Sequence, residues 1–130
     1  MQKLMILLVA LAMILVACDD GGSDEADSSG ASDAVENYLN AKVESDENGI
    51  RELICADLES EISRETNSFA SVEASIEGMS CAVEGTDGDF TLVTCEGEIV
   101  ALYGAENRNF PLTTYRTIEE DGAWRWCGEG

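Results

Sequence analysis

The five cysteines are the residues whose chemistry restricts this chain most. Cys18 closes an apolar run, and the other four are Cys55, Cys81, Cys95 and Cys127. The chain has no His and no Cys-x-x-Cys pair, which argues against a zinc site. A chain without His also cannot form a Ser-His-Asp triad or use a histidine base. We therefore expect the four later cysteines to form disulfides, and we expect no metal and no cofactor.

An export leader precedes Cys18. Lys3 supplies one positive charge, the segment from Leu4 to Val16 is apolar without interruption, and Ala17 is small. This pattern is typical of a signal peptide, and the run is short for a permanent membrane span, which needs about 20 residues. Leu15 to Cys18 resembles the lipobox of bacterial lipoproteins: a branched aliphatic, a variable residue, a small residue and an obligatory Cys. An uncleaved anchor or a general signal peptide is the alternative.

The lipobox resemblance implies that the signal peptide, 1–17, is removed and that lipid is attached to Cys18. The protein would then be exported and anchored to the cell membrane on its extracytoplasmic side. Disulfides persist in such a compartment, so the even number of remaining cysteines favours two of them.

The four cysteines allow three pairings, of which we predict Cys81–Cys95 and Cys55–Cys127. Cys81 and Cys95 lie at equal distances from Gly88, so a three- or five-residue loop would place them opposite each other. A tight two-residue turn there would shift the register by one residue and point them to opposite sheet faces. A bulge could restore the pairing. The second bridge would join the helical half of the chain to its last strand.

The formal charge is −20, and loss of Lys3 with the leader makes it −21. Lys42 is then the only lysine. Nucleic-acid binding depends on Lys and Arg that neutralise phosphates, so we expect no nucleic-acid partner. Anionic lipid is repelled for the same reason, so contact with the membrane must come from the lipid anchor. The expected partners are the membrane and an unknown envelope protein or small ligand.

Helical periodicity fills the first half of the chain. Residues 18–32 are rich in Asp, Ser and Gly and predict a flexible acidic tether before a domain at 33–130. Asp33, with Glu36, predicts an N-terminal capping box, and Asp46 predicts the cap of a second helix. A weaker third helix is predicted at about 58–69. The apolar positions expected to face the core are Ala34, Val35, Tyr38, Leu39, Ile50, Leu53, Ile54, Leu58, Ile62 and Phe69.

From Val72 the apolar period changes to two, which predicts strands. A phase slip at Gly78 predicts a β-bulge. Turns are expected at 85–89 and 104–107, and Asp121-Gly122 predicts a two-residue hairpin. The third strand would place Phe110, Leu112 and Ile118 on one face, with Pro111 near its start. The prediction is an α+β fold, with N-terminal helices packed on a four-stranded antiparallel meander.

Arg116 and Arg125 are candidate ligand-binding residues. A two-residue hairpin sets Arg125 opposite Ile118, with Arg116 a diagonal neighbour on the same face. Two guanidinium groups there could hold an anionic ligand, or nearby carboxylates could simply neutralise them. Trp124 and Trp126 would lie on the other face, and the pattern does not decide which face meets the helices.

Three segments together resemble the cystatin-like, nuclear transport factor 2-like cone, as found in small bacterial lipoproteins. They are Ala34–Ala41, the acidic break near Asp46, and Glu120–Trp126. The superfamily includes isomerases and dehydratases with a His or Asp in the cone, and also non-enzymatic binding domains. No His is present and no catalytic Asp can be carried over, so we expect a non-catalytic binding or interaction domain. The alternatives are a small enzyme with a buried carboxylate and a structural envelope lipoprotein.

Overall fold

The computed structural model describes residues 21–130, so the leader and Cys18 lie outside the described residues. Helices come first and strands follow, as the change of period predicts. The helices are α1 (Gly21–Val43), α2 (Glu47–Leu53), a 3₁₀ helix (Ala56–Glu61) and α3 (Ile62–Thr66). The strands are β1 (Glu73–Asp87), β2 (Phe90–Tyr103), β3 (Glu106–Pro111), β4 (Thr114–Glu120) and β5 (Ala123–Glu129).

Helix α1 begins earlier than expected. It starts at Gly21, so Asp33 lies inside the helix and is not its cap. The helix therefore begins within the segment predicted to be a tether. Small residues let α1 approach the sheet closely: Ala31 is fully buried, and a Cβ on Gly30 would lie 2.6 Å from Cδ1 of Trp124. Tertiary packing of this kind stabilises a helix that its local composition does not favour.

The later helices follow the sequence pattern more closely. The Asp46 carboxylate accepts a hydrogen bond from the Gly49 N–H at 3.1 Å, so Asp46 caps α2 as predicted. The predicted third helix is a 3₁₀ turn continued by the short α3. Ile62 and Phe69 are buried and Leu58 is partly buried against the core, as their spacing indicates.

The sheet is antiparallel and has five strands, where the sequence predicted four. Four strands pair in the order β1-β2-β4-β5, and β3 pairs with β2 alone. The predicted third strand is split at Leu112-Thr113 into β3 and β4, which pair with different halves of β2. The prediction that Phe110, Leu112 and Ile118 share one face of one strand was therefore wrong. Pro111 lies at the end of β3.

A line of irregular backbone crosses the sheet where the third strand breaks. The predicted bulge of β1 is present, as a register shift between Glu77 and Ser80. Beside it, Gly97 of β2 has φ +105°, and a Cβ there would lie 2.6 Å from the Glu77 carbonyl oxygen. The Leu112 N–H donates to the Gly97 carbonyl at 2.9 Å. Bulges bend strands, so β1, β2 and the β3–β4 segment change direction together.

The tryptophan face of the sheet meets the helices. The ring of Tyr38, which is fully buried on α1, stacks on Trp126 of β5 with centroids 3.9 Å apart. Thr117 is also fully buried, and its hydroxyl donates to the Thr91 carbonyl at 2.8 Å. The alternation of residues did not predict which sheet face meets the helices. Burial of the aromatic rings and the hydrogen bond of the Thr117 hydroxyl favour the tryptophan face.

Both predicted disulfides are present. Cys81 and Cys95 are directly opposed on β1 and β2, although the connecting turn is tight, with Asp87 opposite Phe90. A second register shift, between Val83 and Gly85, restores the pairing.

The second bridge, Cys55–Cys127, joins the segment after α2 to β5. The Cys55 N–H donates to the Trp126 carbonyl at 2.9 Å, which holds this segment alongside the strand. Two disulfides are compatible with an extracytoplasmic location.

Candidate functional site

A cleft opens between the C-terminal half of α1, α3 and the strands β3 to β5. It consists of two adjoining cavities of about 170 and 290 Å³ that share three lining residues. The shared residues are Lys42, Trp126 and Glu129. This cleft is the candidate functional site.

Helix α1 contributes two polar side chains to the cleft. Tyr38 and Lys42 are four residues apart, so they lie on the same helix face, one turn from each other. Tyr38 is held in the core by its stack on Trp126, and Lys42 is partly exposed at the helix end. The helix therefore places a phenol deep in the cleft and an ammonium group nearer its mouth.

Helix α3 contributes Glu65, whose side chain is buried. Its Oε2 lies 2.7 Å from Nζ of Lys42, close enough for an ion pair although the angle is not that of a hydrogen bond. The only lysine after the predicted leader thus neutralises the buried carboxylate and joins α1 to α3.

Three buried polar atoms of the cleft residues have no partner that meets hydrogen-bond geometry within residues 21–130. They are the hydroxyl oxygen of Tyr38, Oε2 of Glu65 and Nε1 of Trp126. Burial, then the charge of Glu65 and the interaction of the hydroxyl with that carboxylate, raise the pKa of Tyr38 well above its ordinary value, so its hydroxyl keeps its proton beside an acceptor. An indole N–H can only donate. A buried polar group without a partner costs about 1–3 kcal/mol, so the unpartnered N–H of Trp126 is unusual in a folded protein.

The walls of the smaller cavity are mostly apolar. Phe110, 39% exposed, stands at the mouth and meets Phe69 edge to face at 5.8 Å. The Tyr115 hydroxyl accepts from the Thr113 N–H at 3.3 Å, and burial raises the pKa of Tyr115. The remaining apolar side chains of this cavity are Leu39, Ile99, Pro111 and Leu112. The larger cavity is lined mostly by charged residues, so the cleft combines an apolar wall, typical of small-molecule sites, with a charged region.

Arg116 and Arg125 lie elsewhere. Arg125 is opposite Ile118, as predicted, and its guanidinium donates to the Glu52 carbonyl in the last turn of α2. Arg116 lies at a register shift in β4, 3.6 Å from Asp87 and over the ring of Phe90. Each guanidinium thus has its own partner on a different element, and neither lines the cleft.

The sequence pattern missed the polar residues of the cleft. The helical spacing predicts only that Tyr38 faces the core. Glu65 lies among Ser, Arg and Thr, and nothing in this neighbourhood indicates that it is buried. For Trp126 the alternation predicts a sheet face and no binding role.

Residues 21–130 contain no group of three or more side chains arranged to hold a metal ion. Within the same range, no helix combines the length and hydrophobicity needed to cross a membrane. Comparisons of the chain with protein-family models, with curated proteins and with solved structures find no match.

Proposed function

We propose that this protein is a lipid-anchored, extracytoplasmic binding domain without catalytic activity, and that the cleft is its binding site. The observation that carries this proposal is the buried indole N–H of Trp126, which lacks a hydrogen-bond partner beside an apolar wall. A bound molecule that offers an acceptor would satisfy it. Such groups cost stability in the free protein, which is expected at a site shaped for a ligand.

The ion pair argues against the enzymatic alternative. A buried carboxylate acts as a general base when its environment sets its pKa for the task and leaves it free to accept a proton. Glu65 is instead neutralised by Lys42 at 2.7 Å, in a position where the pair also joins two helices. The enzyme remains the second candidate because Glu65 is a buried carboxylate inside a cavity. Glu65→Gln would abolish turnover of any substrate in that case.

We also propose that the fold is a cystatin-like or nuclear transport factor 2-like cone. Three features support this: helices on one face only, an antiparallel sheet, and the bend line through Gly97. In this proposal the cleft is the opening between the bent sheet and the helix α1.

The anchor is tested at Cys18. Mass spectrometry of the protein extracted from membranes should show an acylated Cys18 as the first residue. Cys18→Ser should leave an uncleaved precursor without lipid. An unmodified Cys18 in the wild-type protein, or cleavage at another bond, would contradict the anchor.

Binding is tested by native mass spectrometry of the lipidated protein purified from its own envelope in mild detergent. We expect a co-purifying small molecule whose occupancy falls in Trp126→Phe, which keeps the ring and removes the indole N–H. Trp124→Phe is the matched control because Trp124 lies against Gly30, away from the cleft. Equal occupancy in both variants would exclude the cleft as the site. If only envelope proteins co-purify, with no small molecule, the structural-lipoprotein alternative is favoured.

A further inference from the structure

One donor of the cleft has no acceptor to meet it. Nε1 of Trp126 can only donate, and it lacks a partner within the described residues. The Tyr38 hydroxyl, by contrast, interacts with the carboxylate of Glu65, whose Oε2 is itself without a partner of hydrogen-bond geometry. The Tyr115 oxygen already accepts from the Thr113 N–H. A ligand that satisfies Trp126 must therefore supply an acceptor.

The charges of the cleft argue that this acceptor is uncharged. Its two cations are already in ion pairs: Lys42 with Glu65 at 2.7 Å, and Arg64 with Glu61 at 3.0 Å. Glu129 adds a further negative charge to the lining, on a chain whose formal charge is −20. An anion would enter against this field without a free cation to meet it, and burial of an unpaired charge is costly.

The apolar wall determines the size and polarity of the rest of the ligand. Leu39, Ile99 and Leu112 line the smaller cavity together with the stacked rings of Tyr38 and Trp126. Its volume of about 170 Å³ is suited to a single small ring. A ligand whose hydrocarbon part contacts this wall loses few hydrogen bonds when it leaves water. A polyhydroxylated ligand would bury hydroxyls there without hydrogen-bond partners.

From this arrangement we propose that the cleft binds a small neutral carbonyl compound, with an apolar body against the wall and its oxygen on the indole N–H of Trp126. This inference rests on the proposed binding function and adds the chemical class of the ligand. A carbonyl oxygen only accepts, which complements an indole N–H that can only donate.

The test uses two probes of the same shape. Cyclohexanone carries the carbonyl, and methylenecyclohexane replaces its oxygen by a CH₂ group. The lipidated protein in detergent micelles, labelled with ¹⁵N, is titrated with each probe while the two indole N–H signals are followed by NMR. Trp124 provides the reference signal in the same spectrum.

We expect cyclohexanone to move the Trp126 indole proton downfield in a saturable manner and to leave Trp124 unchanged. Methylenecyclohexane should bind without that downfield shift. Trp126→Phe should weaken cyclohexanone binding by ~5-fold, the factor for one neutral hydrogen bond, whereas Trp124→Phe should not. Binding to the variants is followed through the backbone amide of Leu39.

Three results would overturn the proposal: no saturable shift at Trp126, equal downfield shifts with both probes, or a larger saturable shift with sodium acetate than with cyclohexanone. The acetate result would leave the binding function intact and refute only the neutral class of ligand. A charged molecule found on the protein by native mass spectrometry would have the same meaning. If no probe shifts Trp126 and no molecule co-purifies, both the class and the binding function fail.

Discussion

The two disulfides should contribute unequally to stability, and loop length sets the difference. Cys55–Cys127 joins residues 72 apart, whereas Cys81–Cys95 joins residues 14 apart. A bridge restricts the unfolded chain more when it closes a longer loop, which gives about 4.4 kcal/mol for the first and about 3.0 kcal/mol for the second. The expected difference is about 1.4 kcal/mol in the free energy of unfolding.

The perturbation is a pair of double variants, Cys55→Ala/Cys127→Ala and Cys81→Ala/Cys95→Ala. Each removes one buried and one half-buried sulfur atom, so the costs of the small cavities nearly cancel in the comparison. The long-loop variant should melt roughly 6–11 °C below the short-loop variant, since 1 kcal/mol corresponds to about 4–8 °C in a domain of this size.

The assay is equilibrium unfolding in guanidinium chloride, followed by tryptophan fluorescence, with calorimetry for the melting temperatures. Peptide mapping under non-reducing conditions must first show that each variant retains the other bridge. If the Cys81→Ala/Cys95→Ala variant is as unstable as the other, or less stable, the loop-entropy reasoning fails. The local strand register would then be the dominant contribution of that bridge.

Two further outcomes are expected. Gly97→Ala should destabilise the protein by about 3 kcal/mol or more, because its φ is +105° and a Cβ would meet the Glu77 carbonyl oxygen at 2.6 Å. Gly85→Ala is the control, since no atom lies within 4 Å of its Cβ position, and a similar loss there in urea unfolding would contradict the account. Burial raises the pKa of Tyr38 and Tyr115 in the folded protein. Both tyrosines therefore lose their protons at a lower pH in the unfolded state. The free energy of unfolding should be unaffected by them below pH ~10 and should fall as the pH rises above it. Phenolate absorbance from these two tyrosines should therefore appear only with unfolding, and ionisation of all three tyrosines near pH ~10 in folded protein would refute this.

Local chemistry in the sequence determined the features that depend on a few neighbouring residues. Asp46 caps α2 because its carboxylate reaches an N–H three residues ahead. Asp121-Gly122 forms a two-residue hairpin with φ values of 52° and 79°, which few residue pairs adopt as readily. The spacing of Cys81 and Cys95 about Gly88 predicted their pairing, although the turn is tight and a register shift between Val83 and Gly85 is what sets them opposite each other.

The tertiary structure decided where distant segments meet. The close approach of α1 to the sheet depends on Gly30, which lies against Trp124, a residue far along the chain that no local pattern connects to the helix. The split between β3 and β4 lies beside the bend at Gly97, where β1, on the other side of β2, takes a bulge and continues. The pairing of Lys42 with Glu65 likewise needs α3 to be folded against α1.

The cleft, too, is formed by the tertiary structure. Its polar groups come from α1, α3 and β5, and each is ordinary in its own segment: a Tyr on an apolar stripe, a Glu in a polar turn, a Trp in a hairpin. Burial and loss of hydrogen-bond partners are properties of their common environment. Periodicity reports which face of an element is apolar, but it carries no information on which polar side chains from three elements are buried together. The sequence therefore determined the order of elements and the covalent links, and only the packing of α1 and α3 on the bent sheet determined the candidate site.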